Sequence, residues 1–291
     1  MTYGRAKLTA MREGGLTIRE VAEETGLHPA YISLATGPRG AGSRRAGTRA
    51  SQPAVTEARW SGRKPLPDNH PAVVEGRPKY PTKVGNYPNS PVLKPGAYSA
   101  KIGSKIIKGM WKGFPIYTLT LPERTTCPRS CLHWNSCYGN QMHWAHRFKP
   151  AWALQYRISR ELEELQKRYS SGFAVRLHSL GDFYSFQYVY FWRDMLSRFP
   201  ALHVFGFTAR NDTQEDIIAE ALIGLSIDQP ERFQMRYSDR LNKHMNTVSI
   251  DTEADCPDHA IICPQQQGKT DACATCALCW QTTKTIAFLR H

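Results

Sequence analysis

Apolar positions along the chain change period several times, and each change predicts a different element. In the first 37 residues Val21, Leu27, Ile32 and Ala35 supply apolar contacts between short helices, with Ala22 small enough for a close helix crossing and Gly26 able to turn left-handed. Thr17 stands at a capping position and Pro29 at the start of a further helix. A helix near 5–12, one from 18 and one over 29–36 therefore make a small all-α unit of residues 1–37. From Pro38 the period vanishes, and residues 38–83, rich in Gly, Pro, Ser and Arg, are expected to be a basic linker. Two apolar, β-branched runs over 99–122 flank a Gly-containing turn and predict a β-hairpin.

Beyond residue 150 helical and strand periods alternate. The stretch 150–169 opens on proline and places Trp152, Tyr156, Ile158, Leu162 and Leu165 mostly on one face of a helix. Strands are predicted at 172–177, 203–207, 233–237, 247–250 and 260–262, with helices over 186–198 and 213–225. Strands separated by helices of this length imply parallel βαβ crossovers. The fold class is α/β: a partial barrel or mainly parallel sheet of βα units over 84–291, with a cysteine-rich C-terminal segment, preceded by the all-α unit.

This order gathers polar residues where such sheets build sites, at the C-terminal ends of the strands. Asp182, His178, Arg176 and Arg210 are the catalytic candidates there, beside Thr208, Asn211, Arg236, Ser238 and Asp239. Arg176 and His178, two apart, are expected to share a face. A buried structural Arg-His-Asp network would use the same residues.

The eight cysteines fall in two groups, Cys127, Cys131 and Cys137, then Cys256, Cys263, Cys273, Cys276 and Cys279. Three cysteines in a polar loop with Pro and Asn cannot form one apolar face. The start of the sequence has no apolar stretch of the secretion-signal kind, so a cytoplasmic location, and thiolate ligation of metal in preference to disulfides, is expected. All eight are candidate metal ligands. Cys273, Cys276 and Cys279 have the C-x2-C-x2-C spacing of an iron–sulfur site, with Cys263-Pro264 as the remote fourth ligand, and tetrahedral zinc could use the same four. Cys256 could join either group or be a plain thiol. One or two iron–sulfur clusters are expected, with zinc the alternative.

No apolar window long enough to cross a membrane is found. The formal charge of +13 and pI near 9.5 point to an anionic partner. Between Arg77 and Lys149 twelve Lys or Arg face a single acid, Glu123, and Tyr and Trp interleave them, a composition suited to nucleic acid, with DNA expected ahead of RNA. Arg44 and Arg45 in the linker are candidates for phosphate contact.

The pattern from Ile18 to Gly37 resembles the helix-turn-helix of repressor-type proteins, with Ala22, Gly26 and Ile32 on the positions that motif restricts most. The resemblance implies major-groove contacts from His28, Tyr31 and Ser33. The combination of CPRSCLHWNSCYG, RLHSLGDFYSFQYVYFW, GFTAR and CPQQQGKTDACATCALCW resembles the gene product 88 family of phage and plasmid proteins over about residues 80–291. It implies a metal-associated domain carried by mobile elements. A more distant likeness is to radical S-adenosylmethionine enzymes, whose three-cysteine loop follows a first strand and whose glycine-acidic motif follows the second. That likeness implies an open iron at Cys127, Cys131 and Cys137, and cofactor contacts from Gly181 and Asp182. The C-x3-C-x5-C spacing departs from that superfamily's usual C-x3-C-x2-C. The expected function is a phage- or plasmid-associated iron–sulfur protein acting on or binding nucleic acid, with radical S-adenosylmethionine-like chemistry. The alternative is a DNA-binding regulator or transfer factor whose zinc or iron–sulfur sites are structural.

Overall fold

The computed structural model describes residues 5–25, 32, 65–210, 216–238 and 245–290. Contacts divide the chain into two units, Met1–Gln52 and Pro53–His291. In the first, α1 (Arg5–Glu13) and α2 (Ile18–Thr25) bury Leu8 and Val21 against Ile32, with Met11, Leu16 and Ala22 alongside. Thr17 caps α2 as its position suggests: its hydroxyl accepts from the Glu20 amide at 3.2 Å and the Glu20 carboxylate accepts from the Thr17 amide at 2.6 Å. The residues named for base contact, His28, Tyr31 and Ser33, and Gly26, Pro29, Arg44 and Arg45, lie outside the described residues.

The second unit is a mixed α/β structure on one eight-stranded sheet. Its strands are β2 (Lys94–Pro95), β3 (Ile116–Thr118), β5 (Phe173–Leu177), β6 (Leu202–Thr208), β7 (Phe233–Ser238), β8 (Asn246–Ile250), β9 (Ala260–Ile262) and β10 (Thr285–Leu289), in the order β2-β3-β5-β6-β7-β8-β10-β9. Among the described strand pairs of this sheet only β2–β3 is antiparallel. Strands β1 (Val84–Gly85) and β4 (Arg147–Phe148) form a separate parallel pair.

Alternation along the strands sorts the two faces. Val175, Leu177, Leu202, Val204, Phe233 and Met235 point to the outer layer, where α4 (Trp152–Arg168), α5 (Phe186–Arg198) and α6 (Ile217–Asp228) cover them with Ile158, Leu162, Trp192, Leu196, Leu222 and Leu225. Each such buried side chain contributes on the order of 2–3 kcal/mol. Ile116, Ala174 and Phe205 point the other way, onto Ile102, Ile106, Trp111 and the C-terminal residues Ala274, Ala277 and Trp280. Ala274 and Trp280 belong to two single-turn helices, α7 (Cys273–Cys276) and α8 (Leu278–Gln281), and Ala277 joins them. The cysteine-rich segment thus packs in the concave side of the sheet.

The structure corrects several expectations. Residues 65–83 are not linker: α3 (Pro71–Val74) packs on Trp134 of the three-cysteine loop, and Tyr80, just before the 3-10 turn Pro81–Lys83, donates to the Asn140 carbonyl at 2.9 Å. The hairpin over 99–122 is reduced to one antiparallel bridge, Lys105 with Pro115, because the intervening residues loop out to bury Trp111. On α4, Trp152 and Tyr156 stack on one another in solvent, and Leu154 takes the buried position instead. Strand β10, absent from the sequence reading, inserts between β8 and β9.

Candidate functional site

The loop bearing Cys127, Cys131 and Cys137 is built around one buried ion pair. Arg147 donates to Glu123 through Nε at 2.6 Å and Nη2 at 3.0 Å, and its remaining donors reach the carbonyls of Gly139, Met142 and Ala145. Gly139 must be glycine, since a Cβ there would stand 2.6 Å from the Glu123 carboxyl carbon. Arg124 adds bonds to the Trp134 carbonyl at 2.9 Å and to Asn140 at 2.6 Å. From outside, Val73 accepts from the Trp134 indole at 3.0 Å and Leu66 exchanges bonds with Asn135.

Three of the sequence candidates fasten this loop to the sheet. Asp182 is buried; its carboxylate accepts from Phe183 N at 2.7 Å, Thr208 Oγ1 at 2.8 Å and Ala209 N at 2.8 Å, while its own amide donates to Thr126 Oγ1 at 3.1 Å. Burial pushes its carboxyl up to about 6, against the pull of those hydrogen bonds. Gly181, at φ +81°, packs on Thr126 and Leu121 so closely that a Cβ would come within 2.5 Å of the Thr126 hydroxyl. Arg210 donates from Nε to the Phe183 carbonyl at 2.9 Å and from Nη2 to the Thr126 carbonyl at 3.4 Å, with Asp216 3.8 Å away. Each of the three is engaged one residue before Cys127. The glycine-acidic pair that sequence assigned to cofactor contact is occupied in holding the loop.

Burial raises the Cys127 and Cys137 thiols, Cys137 to about 12, and the charges of Asp182 on Cys127 and of Glu123 on Cys137 raise them further. Cys131 adds to both shifts. Thiols so placed hold their protons until a cation replaces them.

The C-terminal group is held by Arg236, buried and donating to five carbonyls, those of Asn246, Leu278, Cys279, Thr282 and Lys284. Backbone bonds from Cys273 N to Lys101 O at 2.8 Å and Ala274 N to Ile102 O at 2.9 Å dock the segment. Burial raises the thiols of Cys273, Cys276 and Cys279, the last to about 12, and Cys263 adds to all three shifts. Arg176 opposes them at Cys273 and Cys279, and Lys101 at Cys273. As placed, no three His, Cys, Asp or Glu side chains among the described residues form a metal-holding group. The donor chemistry of both groups fits a thiophilic ion or cluster: thiols within mutual electrostatic reach, sheltered from water, with cations beside the C-terminal set to balance thiolate charge.

A cavity of about 630 Å³ lies between the C-terminal cysteines and the loop that bears the other three. Seven of the eight strands line it, from Lys94 in β2 through Arg176, Phe205, Phe207 and Ser249 to Phe288 in β10, so the sheet curves around it. Cys263, Cys273 and Cys279 form part of its wall, and His133, Tyr138 and Met142 bring the three-cysteine loop to it.

Of the catalytic candidates, only Arg176 reaches the cavity. His178 does not share its face, because β5 ends at Leu177; the imidazole is buried in the outer layer, 3.1 Å from the Tyr188 hydroxyl and edge-on to Phe183. Burial holds it neutral, its pKa lowered to about 3. Among the histidines near the triad, His133 bonds Ser249 and Ser136, while His146 stacks on Tyr87 at 4.0 Å and His143 meets Tyr80 edge-on. Cys256 donates locally to the carbonyls of Pro257 and Ala260 and does not line the cavity. Asn211 and Asp239 lie outside the described residues. Sequence reading missed Lys101, Phe205, Phe207 and Phe288 as lining residues, a role that depends on strand curvature, and it named Arg236 for chemistry where the structure gives it anchorage. No protein-family model matches the chain, and neither a curated protein nor a solved structure matches it significantly.

Proposed function

We propose that the protein is an iron–sulfur enzyme of radical S-adenosylmethionine-like type acting on nucleic acid or its components, with one cluster on Cys127, Cys131 and Cys137 and a second on Cys263, Cys273, Cys276 and Cys279. One observation carries this reading: three C-terminal cysteines and, from the loop that bears Cys127, Cys131 and Cys137, the residues His133 and Tyr138 border a single cavity on the concave side of a mostly parallel sheet. A structural zinc knot needs no such cavity. Three thiols leave one position of a four-iron cluster open, and a cluster of that kind supplies one-electron reduction of bound S-adenosylmethionine. The chain's own residues then have distinct tasks. Gly181, Asp182 and Arg210 fix the loop before Cys127; Lys101 and Arg176 balance thiolate charge at the second group; Phe205 and Phe207 keep the wall apolar. The motifs that suggest gene product 88 kinship support a mobile-element context within the same proposal.

A second reading has its own support. Asp182, His178 and Arg210 are all occupied in packing or hydrogen bonding, as a DNA-binding regulator with structural metal would allow. Adding S-adenosylmethionine to the reduced, anaerobically purified protein separates the two. A changed paramagnetic-resonance signal and release of 5′-deoxyadenosine are expected for the enzyme. An unchanged signal with metal bound in full assigns the sites to structure.

A further inference from the structure

The cavity between the cysteine groups has a lining of one electrical sign. Lys94, Lys101 and Arg176 face it, and among the described residues no Asp or Glu does. The Lys94 ammonium already donates to Ser90 at 2.6 Å. Arg176 is different: its Nε is buried without a hydrogen-bond partner. That Nε is closed to the cavity, but the two Nη groups of the same guanidinium are accessible and have no hydrogen-bond partner among the described residues, so an acceptor from outside the chain can meet them. Ring faces lie beside this cation. Arg176 sits over Phe207 at 5.4 Å, and Phe207 meets Phe288 edge-on at 5.6 Å. At the mouth Tyr98 and Trp144 are 83% and 63% exposed, large aromatic surfaces left in water. The volume of about 630 Å³ falls within the range of about 300–1,000 Å³ usual for small-molecule sites. A duplex cannot enter it; one nucleotide can.

We infer that this cavity takes one nucleoside phosphate unit, its phosphate at Arg176 and Lys101 and its base against the Phe207–Phe288 wall. The inference rests on the enzyme reading above and names its substrate class. The unit could arrive as a free nucleotide or as an unpaired residue of a strand, with Tyr98 and Trp144 stacking the neighbouring bases in the second case. The competing explanation is that both cations serve only the thiolates of the C-terminal group.

The test uses the full chain purified without oxygen, with iron measured on every sample. Tryptophan fluorescence is followed as the common ribo- and deoxyribonucleoside 5′-monophosphates, the matching nucleosides, a single-stranded octanucleotide and its blunt duplex are added. At least one monophosphate or the single strand should bind, with the matching nucleoside or the duplex at least about tenfold weaker, the factor expected from one charged hydrogen bond. Arg176→Gln and, away from the sheet, Lys101→Gln should each weaken that binding about tenfold when compared with wild-type protein of equal iron content, and Arg176→Lys should recover part of it. Tighter binding of the single strand than of any monophosphate identifies a strand as the source; the reverse identifies a free nucleotide. Wild-type protein that holds iron but binds none of these ligands overturns the inference and leaves the enzyme reading standing. So do variants that lose iron and keep nucleotide affinity, since the cations then serve the cluster. Nucleotide binding by protein without metal would sink the enzyme reading and spare the site.

Discussion

The Glu123–Arg147 pair shows how a single residue can decide a loop. Both side chains are excluded from solvent, and the arginine fixes three carbonyls of the cysteine loop besides. Glu123→Gln leaves a buried guanidinium without its counter-charge and should cost about 3–5 kcal/mol in urea denaturation, with loss of metal from the triad. The only acid between Arg77 and Lys149 is thus internal, and it leaves that segment's surface free of carboxylates. His178 supplies a pH signature. Its folded pKa of about 3 lies below the ordinary 6.5, so its contribution to stability is complete above pH 6.5 and declines as pH falls toward 3. Wild-type protein should lose about 2 kcal/mol from this group between pH 7 and pH 5, and His178→Phe should be correspondingly flatter across that interval. An equal pH dependence in both proteins would contradict the burial argument.

At the scale of elements, the glycine-acidic turn after β5 holds the three-cysteine loop to the sheet. Gly181→Ala forces a Cβ into Thr126 and Leu121 at a positive φ and should destabilise by about 2–4 kcal/mol, with reduced metal at the triad. Gly113→Ala, also at positive φ but with nothing near its Cβ, should cost about 1 kcal/mol and leave metal content unchanged. The elements themselves were legible where period and burial agree. The helix Phe186–Arg198 and the strand Ala260–Ile262 fall where the spacing put them, and β5, β6, β7 and β8 differ by a residue or so. The roles of the residues at the strand ends were not legible. Strand alternation put Arg176 and His178 on one face, but the strand stops between them and the chain turns His178 into the helical layer. Residues 65–83 read as linker because their order comes from bonds to Trp134 and Asn135 some sixty residues on, and no local period records such contacts.

For the whole molecule, the distribution of charge bears on the proposed contact with nucleic acid. Lys105, Lys108 and Lys112 are exposed in the segment that carries no surface acid. Affinity for duplex DNA should fall steeply with salt, at a log–log slope of about −0.9 per phosphate contact. Removal of residues 1–37 should abolish sequence preference and leave much of the non-specific affinity, measured by fluorescence anisotropy at several salt concentrations. A slope near zero would contradict the electrostatic account. The central claim, that two cysteine groups hold two metal centres on either side of one cavity, is tested most directly by iron, sulfide and zinc analysis of anaerobically purified protein. Wild type should hold both centres, the Cys127→Ala/Cys131→Ala/Cys137→Ala protein only the C-terminal one, and the Cys273→Ala/Cys276→Ala/Cys279→Ala protein at most the triad's. Wild-type protein with neither iron nor zinc in stoichiometric amount, or a triad variant that keeps the full wild-type complement, would contradict it.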